Sequence, residues 1–157
     1  MKRVLFICMG NICRSPAAEI VFRKMVGGAG LDAGFEIDSA GTIGYHKGSP
    51  PDPRMAAHLA KRGYVVEGRS RQLTADDLRD FDILLTMDEE NLADTLALDP
   101  SGNFHHKVKP FVGFLEEHEA SQIPDPYYGG NRGFARVIDL LEDGCRVLLE
   151  RLAQRED

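Results

Sequence analysis

Cysteine is scarce in this chain. Cys8, Cys13 and Cys145 are the only three in 157 residues. A small, odd number argues against a secreted scaffold held by disulfides. A structural zinc site wants four ligands in paired spacings, and His46, His58, His105, His106 and His118 do not pair with Cys8 and Cys13 in that way. Basic excess is missing too: 19 Lys and Arg face 25 Asp and Glu, for a net charge of -6. That balance argues against a general nucleic-acid surface but leaves room for a small local anion site. Long apolar runs are absent. The opening "MKRVLFICMG" is too short to span a membrane, and no small-residue cleavage site follows it. It reads as a buried first strand of a cytoplasmic protein. There is no internal repeat, low-complexity tract or linker, so one domain over residues 1–157 is expected. No lysine completes a G-x-x-x-x-G-K-[ST] nucleotide loop. Neither a metal nor a cofactor is expected.

Hydrophobic residues make up 43% of the chain, enough for a core. "RVLFIC" is a continuous run of strand formers, as in a strand covered on both faces. Ser15 stands where a helix N-cap belongs and Pro16 at the first helical position. Ala17, Ile20, Val21 and Met25 then keep helical spacing as far as Gly27 and Gly28. "FEIDSAG" reads as a second strand, "PDPRMAAHLAKRG" as a helix, and "TADDLRD" opens with a Thr-x-x-Asp cap. "FDILLTM" reads as a strand, "DEENLADTLAL" as a helix and "HKVKPF" as a short strand. In "GFARVIDLLEDGCRVLLERLA" the residues Phe134, Val137, Ile138, Leu141, Cys145, Leu148 and Leu152 share one helical face. The alternation predicts an α/β fold, a single-domain three-layer sandwich with a four-stranded parallel sheet flanked by helices. Ligands in such folds sit beyond the carboxyl ends of the strands. Two Gly/Pro-rich loops remain, "SAGTIGYHKGSPPDP" and "SQIPDPYYGGNRG".

The turn "CMGNICRS" leads from the first strand into the first helix. Backbone N–H groups there can converge on one point, beside the partial positive charge of a helix N-terminus. Gly10 and Asn11 tolerate a tight or left-handed backbone. Arg14 adds a planar fork suited to two phosphate oxygens. Residues Cys8, Met9, Gly10, Asn11, Ile12, Cys13, Arg14 and Ser15 thus form a candidate oxyanion cradle between the first strand and first helix. Helix N-termini and nearby arginine favour the thiolate form of cysteine, so Cys8 is a candidate nucleophile toward phosphorus, with the cradle holding the equatorial oxygens. A lone cysteine at a strand end would more simply be a small buried hydrophobe. The arrangement of Cys, five residues, Arg and Ser at a strand–turn–helix junction is the more specific signal.

Cleaving a phosphate ester also requires a proton for the departing oxygen. Asp125 lies between two prolines that restrict its loop. Taken alone, an Asp-Pro pair is more often just a turn, and Asp52 in "PPDPR" reads as a helix start. Tyr127 and Tyr128, adjacent in a Gly/Pro loop, cannot both be core residues. Their rings can wall a slot for an aryl phosphate. Tyr45 stands in the other loop, where an ordinary surface tyrosine is the simpler alternative. His46 reads as a solvated loop residue.

"VLFICMGNICRSP" resembles the signature of the low-molecular-weight protein tyrosine phosphatases. "IDSAG", "PPDPR", "SRQLTADDL", "FDILLTMDEENL" and "DPYYGG" resemble later segments of that family, in order, so the likeness covers nearly the whole chain. It implies Cys8 as nucleophile, Arg14 as phosphate ligand and transition-state stabiliser, and Asp125 as general acid. It implies that Asn11 organises the loop and that Ser15 supports the thiolate. It places Tyr45, Tyr127 and Tyr128 as pocket walls, and Ser39 and Arg71 as supports of the loop. Asp88 matches a family carboxylate but also sits where an N-cap belongs. Ile12 stands where a similar arginine-dephosphorylating relative has Thr; an apolar side chain there suits an aromatic ring. The expected partners are phosphotyrosine-containing proteins, with inorganic phosphate or a similar oxyanion as product or inhibitor. Two rivals are an arsenate reductase on the same fold, which would need a distal cysteine pair, and an inactive phosphotyrosine-binding module, which would lack Cys8, Arg14 or Asp125. Cys13, so close to Cys8, is expected to protect it from oxidation by forming a disulfide.

Overall fold

The computed structural model describes residues 1–126 and 130–154. Four strands, β1 (Lys2–Cys8), β2 (Phe35–Gly41), β3 (Ile83–Thr86) and β4 (Val108–Pro110), form one sheet in the order β2-β1-β3-β4, and all three pairings are parallel. The helices are α1 (Arg14–Gly28), α2 (Pro53–Lys61), α3 (Ala75–Asp80), α4 (Glu89–Ala97) and α5 (Gly130–Gln154). This is the expected α/β architecture.

The sheet is covered on both faces because its strands are apolar at successive positions. Side chains alternate across a strand. Val4 and Phe6 therefore join the larger core with Val21 and Phe22 of α1, Met55 and Leu59 of α2, and Val137, Leu141 and Leu148 of α5. Leu5 and Ile7 face the other way, toward Leu78 of α3 and Leu92 and Leu96 of α4. At the centre of the larger core, the ring of Phe6 meets those of Phe22 and Phe111 at centroid distances of 5.7 and 6.3 Å, spacings at which aromatic pairs attract.

β1 is flanked by β2 on one side and β3 on the other, so the chain order reverses at its carboxyl end. Such a switch point opens a crevice where loops diverge, and the turn from Cys8 to Ser15 sits in it.

The cap of α3 forms as read: the Asp77 carboxylate accepts the Thr74 backbone N–H at 2.8 Å. Asp52 caps α2, accepting from Arg54 N at 2.8 Å. The start of α1 differs from expectation. Cys13, not Ser15, holds the cap position, and no side chain caps the helix. Ser15 lies inside the helix, its hydroxyl engaged with Cys8 and Asn11. α5 begins at Gly130, a turn earlier than its apolar periodicity indicates, because a polar first turn carries no amphipathic signal. Among the described residues, no helix is long and apolar enough to cross a membrane.

Candidate active site

The turn after β1 keeps its shape through buried polar contacts. Asn11 adopts the left-handed backbone, φ 55°, which its short side chain tolerates better than most. Its amide Nδ2 donates to Ser15 Oγ and to Ser39 Oγ, each at 2.9 Å, and its Oδ1 accepts the Arg71 backbone N–H at 3.0 Å. Arg71 is held in turn by Asp38 at 2.9 Å and by both oxygens of Asp77. Ser39 and Arg71 thus support the loop from β2 and from the segment before α3.

A glycine under the turn is equally necessary. A Cβ on Gly41 would lie 2.7 Å from Met9 O and 3.0 Å from Asn11 N. The turn rests directly on the end of β2, and Thr42 N and Ile43 N tie to Cys8 O and Met9 O at 2.9 and 3.0 Å.

Cys8 is buried at the strand end, its Sγ 2.9 Å from Ser15 Oγ. Arg14 is buried in the first turn of α1, and Nη1 donates to Asp88 Oδ2 at 2.6 Å and to Ile123 O at 3.0 Å. Among the described residues, the hydrogen bonds of this guanidinium all run from Nη1. That leaves Nε and Nη2 as donors for oxygens in the pocket. Burial works against the charge of Arg14, but the negative charges of Cys8, Asp88 and Asp125 outweigh it and hold the guanidinium firmly protonated. Asp88 serves twice, because its other oxygen caps α4 by accepting Asn91 N at 2.8 Å.

These groups line a cavity of about 320 Å³, within the range of small-ligand sites. The buried Cys8, Cys13 and Arg14 line it together with Gly10, Met9 and Ile12 add apolar surface, and Asp125 also lies on its wall. Tyr45 stands at the mouth, 84% exposed. His46 also lines the cavity, which corrects its reading as a solvated loop residue. Its ring lies against Gly10, where a Cβ would come within 3.0 Å of Cδ2, and meets Tyr45 edge-on at 5.0 Å. Nothing in the local sequence marked it, since only the fold of the loop carries it back over the turn. Tyr127 and Tyr128 lie outside the described residues.

Burial, together with the charges of Asp52, Cys8 and Asp125, pushes the Cys13 thiol up, although Arg14 opposes this. Cys13 therefore stays protonated at neutral pH.

The family model for low molecular weight phosphotyrosine protein phosphatases matches residues 3–157. The chain belongs to that family. A Synechocystis protein bearing the same family name is 51% identical over 152 residues, covering 97% of each chain. The human low molecular weight phosphotyrosine protein phosphatase is 39% identical over 153 residues, covering 96% of this chain and 95% of its own. Among solved structures, a protein tyrosine phosphatase from Entamoeba histolytica with Hepes in its active site superposes with a TM-score of 0.95 at 40% identity, covering 100% of both chains. Relatives of this phosphatase are thus phosphoric monoester hydrolases, and its fold is theirs.

The structure brings Cys8, Arg14, Ile12, Cys13, Tyr45 and Asp125 of the phosphatase together on one cavity. Asn11 and Ser15 stand behind it as buried supports. Cys145, the one cysteine outside the turn, is fully buried, with Sγ 3.8 Å from Ala18 O. Among the described residues, no cluster of three His, Cys, Asp or Glu side chains could hold a metal.

Proposed function

We propose that this phosphatase removes phosphate from phosphotyrosine in proteins, and from small aryl phosphates, through a phosphocysteine on Cys8. The observation that supports this most is the meeting of Cys8, Arg14 and Asp125 on one cavity with an apolar wall. The Cys8 thiolate attacks phosphorus from the floor of the cradle as the ester P–O bond breaks. Asp125 gives its proton to the departing phenolate, so tyrosine leaves neutral. Arg14 and the backbone N–H groups of the turn hold the three equatorial oxygens, whose charge is greatest in the transition state. Water then attacks the phosphocysteine, Asp125 takes a proton from it, the S–P bond breaks, and inorganic phosphate leaves with Cys8 regenerated. Ile12 and Tyr45 flank the ring of the substrate, with Tyr127 and Tyr128 proposed as the opposite wall. Inorganic phosphate and similar oxyanions should inhibit by occupying the cradle.

The arsenate reductase alternative would need distal thiols for resolution, and Cys145 is sealed in the core. The test is hydrolysis of para-nitrophenyl phosphate and a phosphotyrosyl peptide, beside phosphoarginine and thiol-coupled arsenate reduction. Turnover of the first two, lost in Cys8→Ser and Arg14→Lys, is expected. Either variant keeping more than about a tenth of wild-type kcat, a loss of only ~1.4 kcal/mol, would overturn the mechanism. Faster turnover of phosphoarginine would overturn the substrate.

A further inference from the structure

We infer that Glu19 is a positioning residue for Cys8, acting through Ser39 and Asn11, and that its pairing with Arg23 makes a carboxylate, rather than an amide, necessary there. The inference rests on the nucleophilic role proposed for Cys8.

The hydrogen atoms can be assigned in order. A backbone N–H can only donate, so the Arg71 N–H at 3.0 Å requires Oδ1 of Asn11 to face it. Nδ2 then faces the two serines, and its two hydrogens go to Ser15 Oγ and Ser39 Oγ, each at 2.9 Å. Both hydroxyls are therefore acceptors toward Asn11, and each has one hydrogen left to place. For Ser39, only 5% exposed, that hydrogen goes to Glu19 Oε1 at 2.7 Å. For Ser15, the nearer acceptor is Cys8 Sγ at 2.9 Å, with Ala40 O at 3.5 Å. The chain of hydrogen bonds thus has one direction at each end, and Ser15 aims its hydrogen at the sulfur.

Glu19 ends this chain. It follows Ser15 by four residues on α1, which places both side chains on the same helical face. Its second oxygen, Oε2, accepts from Arg23 Nη2 at 2.6 Å, and Arg23 Nη2 also reaches Ile37 O at 2.9 Å. Both sides of the Glu19 head group therefore face donors. A carboxylate satisfies both. A glutamine cannot: its NH₂ must point either at the Arg23 guanidinium or at the Ser39 hydroxyl. With Arg23 holding the oxygen, the amide NH₂ faces Ser39, whose hydrogen then loses its acceptor in a nearly closed site. Ser39 must turn, and Asn11 loses the fixed partner that helps hold its amide over Ser15.

Four forms test this: wild type, Glu19→Gln, Arg23→Ala and the double variant. Two readouts are used, the rate at which iodoacetate alkylates Cys8, which needs no turnover, and kcat/KM for para-nitrophenyl phosphate. Glu19→Gln should slow both by about five- to thirtyfold, the lower part of the range for a buried hydrogen bond left unmade. Arg23→Ala should stay within about twofold of wild type. The double variant should recover to within about threefold of Arg23→Ala, because the glutamine can then turn its oxygen to Ser39. A merely structural Glu19 would give additive losses with no recovery. Wild-type alkylation in Glu19→Gln, or a double variant no better than the single, overturns the inference. If Glu19→Gln fails to fold by circular dichroism, the double variant decides alone: Cys8 alkylated near the Arg23→Ala rate supports the inference, and a slow rate overturns it. A wild type alkylated at Cys8 but inert toward the ester would instead break the catalytic proposal.

Discussion

Replacing Gly41 with alanine should disable the site without touching any group proposed to react. The added methyl carbon would stand 2.7 Å from Met9 O, and 3.0 Å from Asn11 N and from Gly10 C. All three are backbone atoms, so no side chain can swing away. Ordinary contact begins near 3.4 Å, so something must move by about half an ångström or more. The strand cannot retreat easily. Gly41 N donates to Arg71 O at 2.9 Å, Leu73 N donates to Gly41 O at 2.7 Å, and Cys8 pairs with Gly41 in the sheet register. The turn therefore yields, carrying the N–H groups of the cradle and the Cys8–Ser15 contact with it. A misplacement of about 1 Å costs roughly a hundredfold in rate, so a shift of about half that should cost about tenfold in kcat/KM, or ~1.4 kcal/mol of transition-state binding. Overpacking should also cost about 1–3 kcal/mol of stability. Steady-state kinetics with para-nitrophenyl phosphate, the inhibition constant of inorganic phosphate and a urea melt measure all three. Activity within twofold of wild type and unchanged phosphate inhibition would refute the claim that the cradle geometry rests on this glycine.

Asp125→Asn should lower kcat most for alkyl and poor aryl leaving groups and least for good ones, since only the former need the proton; equal losses across a leaving-group series would make Asp125 a structural residue. Asp143 lies buried in α5, and its carboxylate accepts the backbone N–H groups of Glu117 and His118 at 3.0 Å and of Glu116 at 3.1 Å. Burial opposes its charge, but these bonds and His118 outweigh it and hold the carboxyl below its ordinary range. Its stabilising effect is therefore full above the unfolded value of about 3.9 and fades as pH falls through the lower folded value. Asp143→Asn should cost about 1–3 kcal/mol at pH 7, and a gap to wild type that does not narrow below pH 4 in urea melts would contradict the assignment. Cys13 shares the cavity with Cys8 but is held protonated, so its capture of an oxidised Cys8 should quicken as pH rises. After peroxide and then reductant, wild type should recover more activity at higher pH and Cys13→Ser should not; equal recovery in both would leave Cys13 as packing.

Much of this was legible in the sequence because strong local signals agreed with the tertiary outcome. "RVLFIC" and "FDILLTM" had to be covered on both faces, and Thr74 with Asp77 marked the start of α3. That Cys8 and Arg14 meet on one turn was readable because a strand, a turn and a helix follow one another within a few residues. Ser15 reads as a cap because cap propensity is a local preference, whereas its hydroxyl in the fold satisfies a buried thiol and amide. His46 and Glu19 left no mark. His46 reaches the cavity only through the path of its loop, and Glu19 has the sequence setting of any solvated helical glutamate. Its role depends on Ser39, brought alongside α1 by the parallel pairing of β1 with β2. Asp88 reads from the sequence as a helix cap that also matches a family carboxylate; it does cap α4, and its ion pair with Arg14 is visible only in the fold.

The central claim is a covalent phosphoenzyme on Cys8. Rapid acid quench of the protein with para-nitrophenyl phosphate, followed by peptide mapping in a mass spectrometer, tests it directly. The account predicts a phosphoryl group on the peptide containing Cys8, formed as fast as the initial burst of nitrophenol and absent from Cys8→Ser. Full turnover with no phosphoryl adduct on Cys8 at any quench time, or an adduct that Cys8→Ser still forms at the wild-type rate, would contradict it.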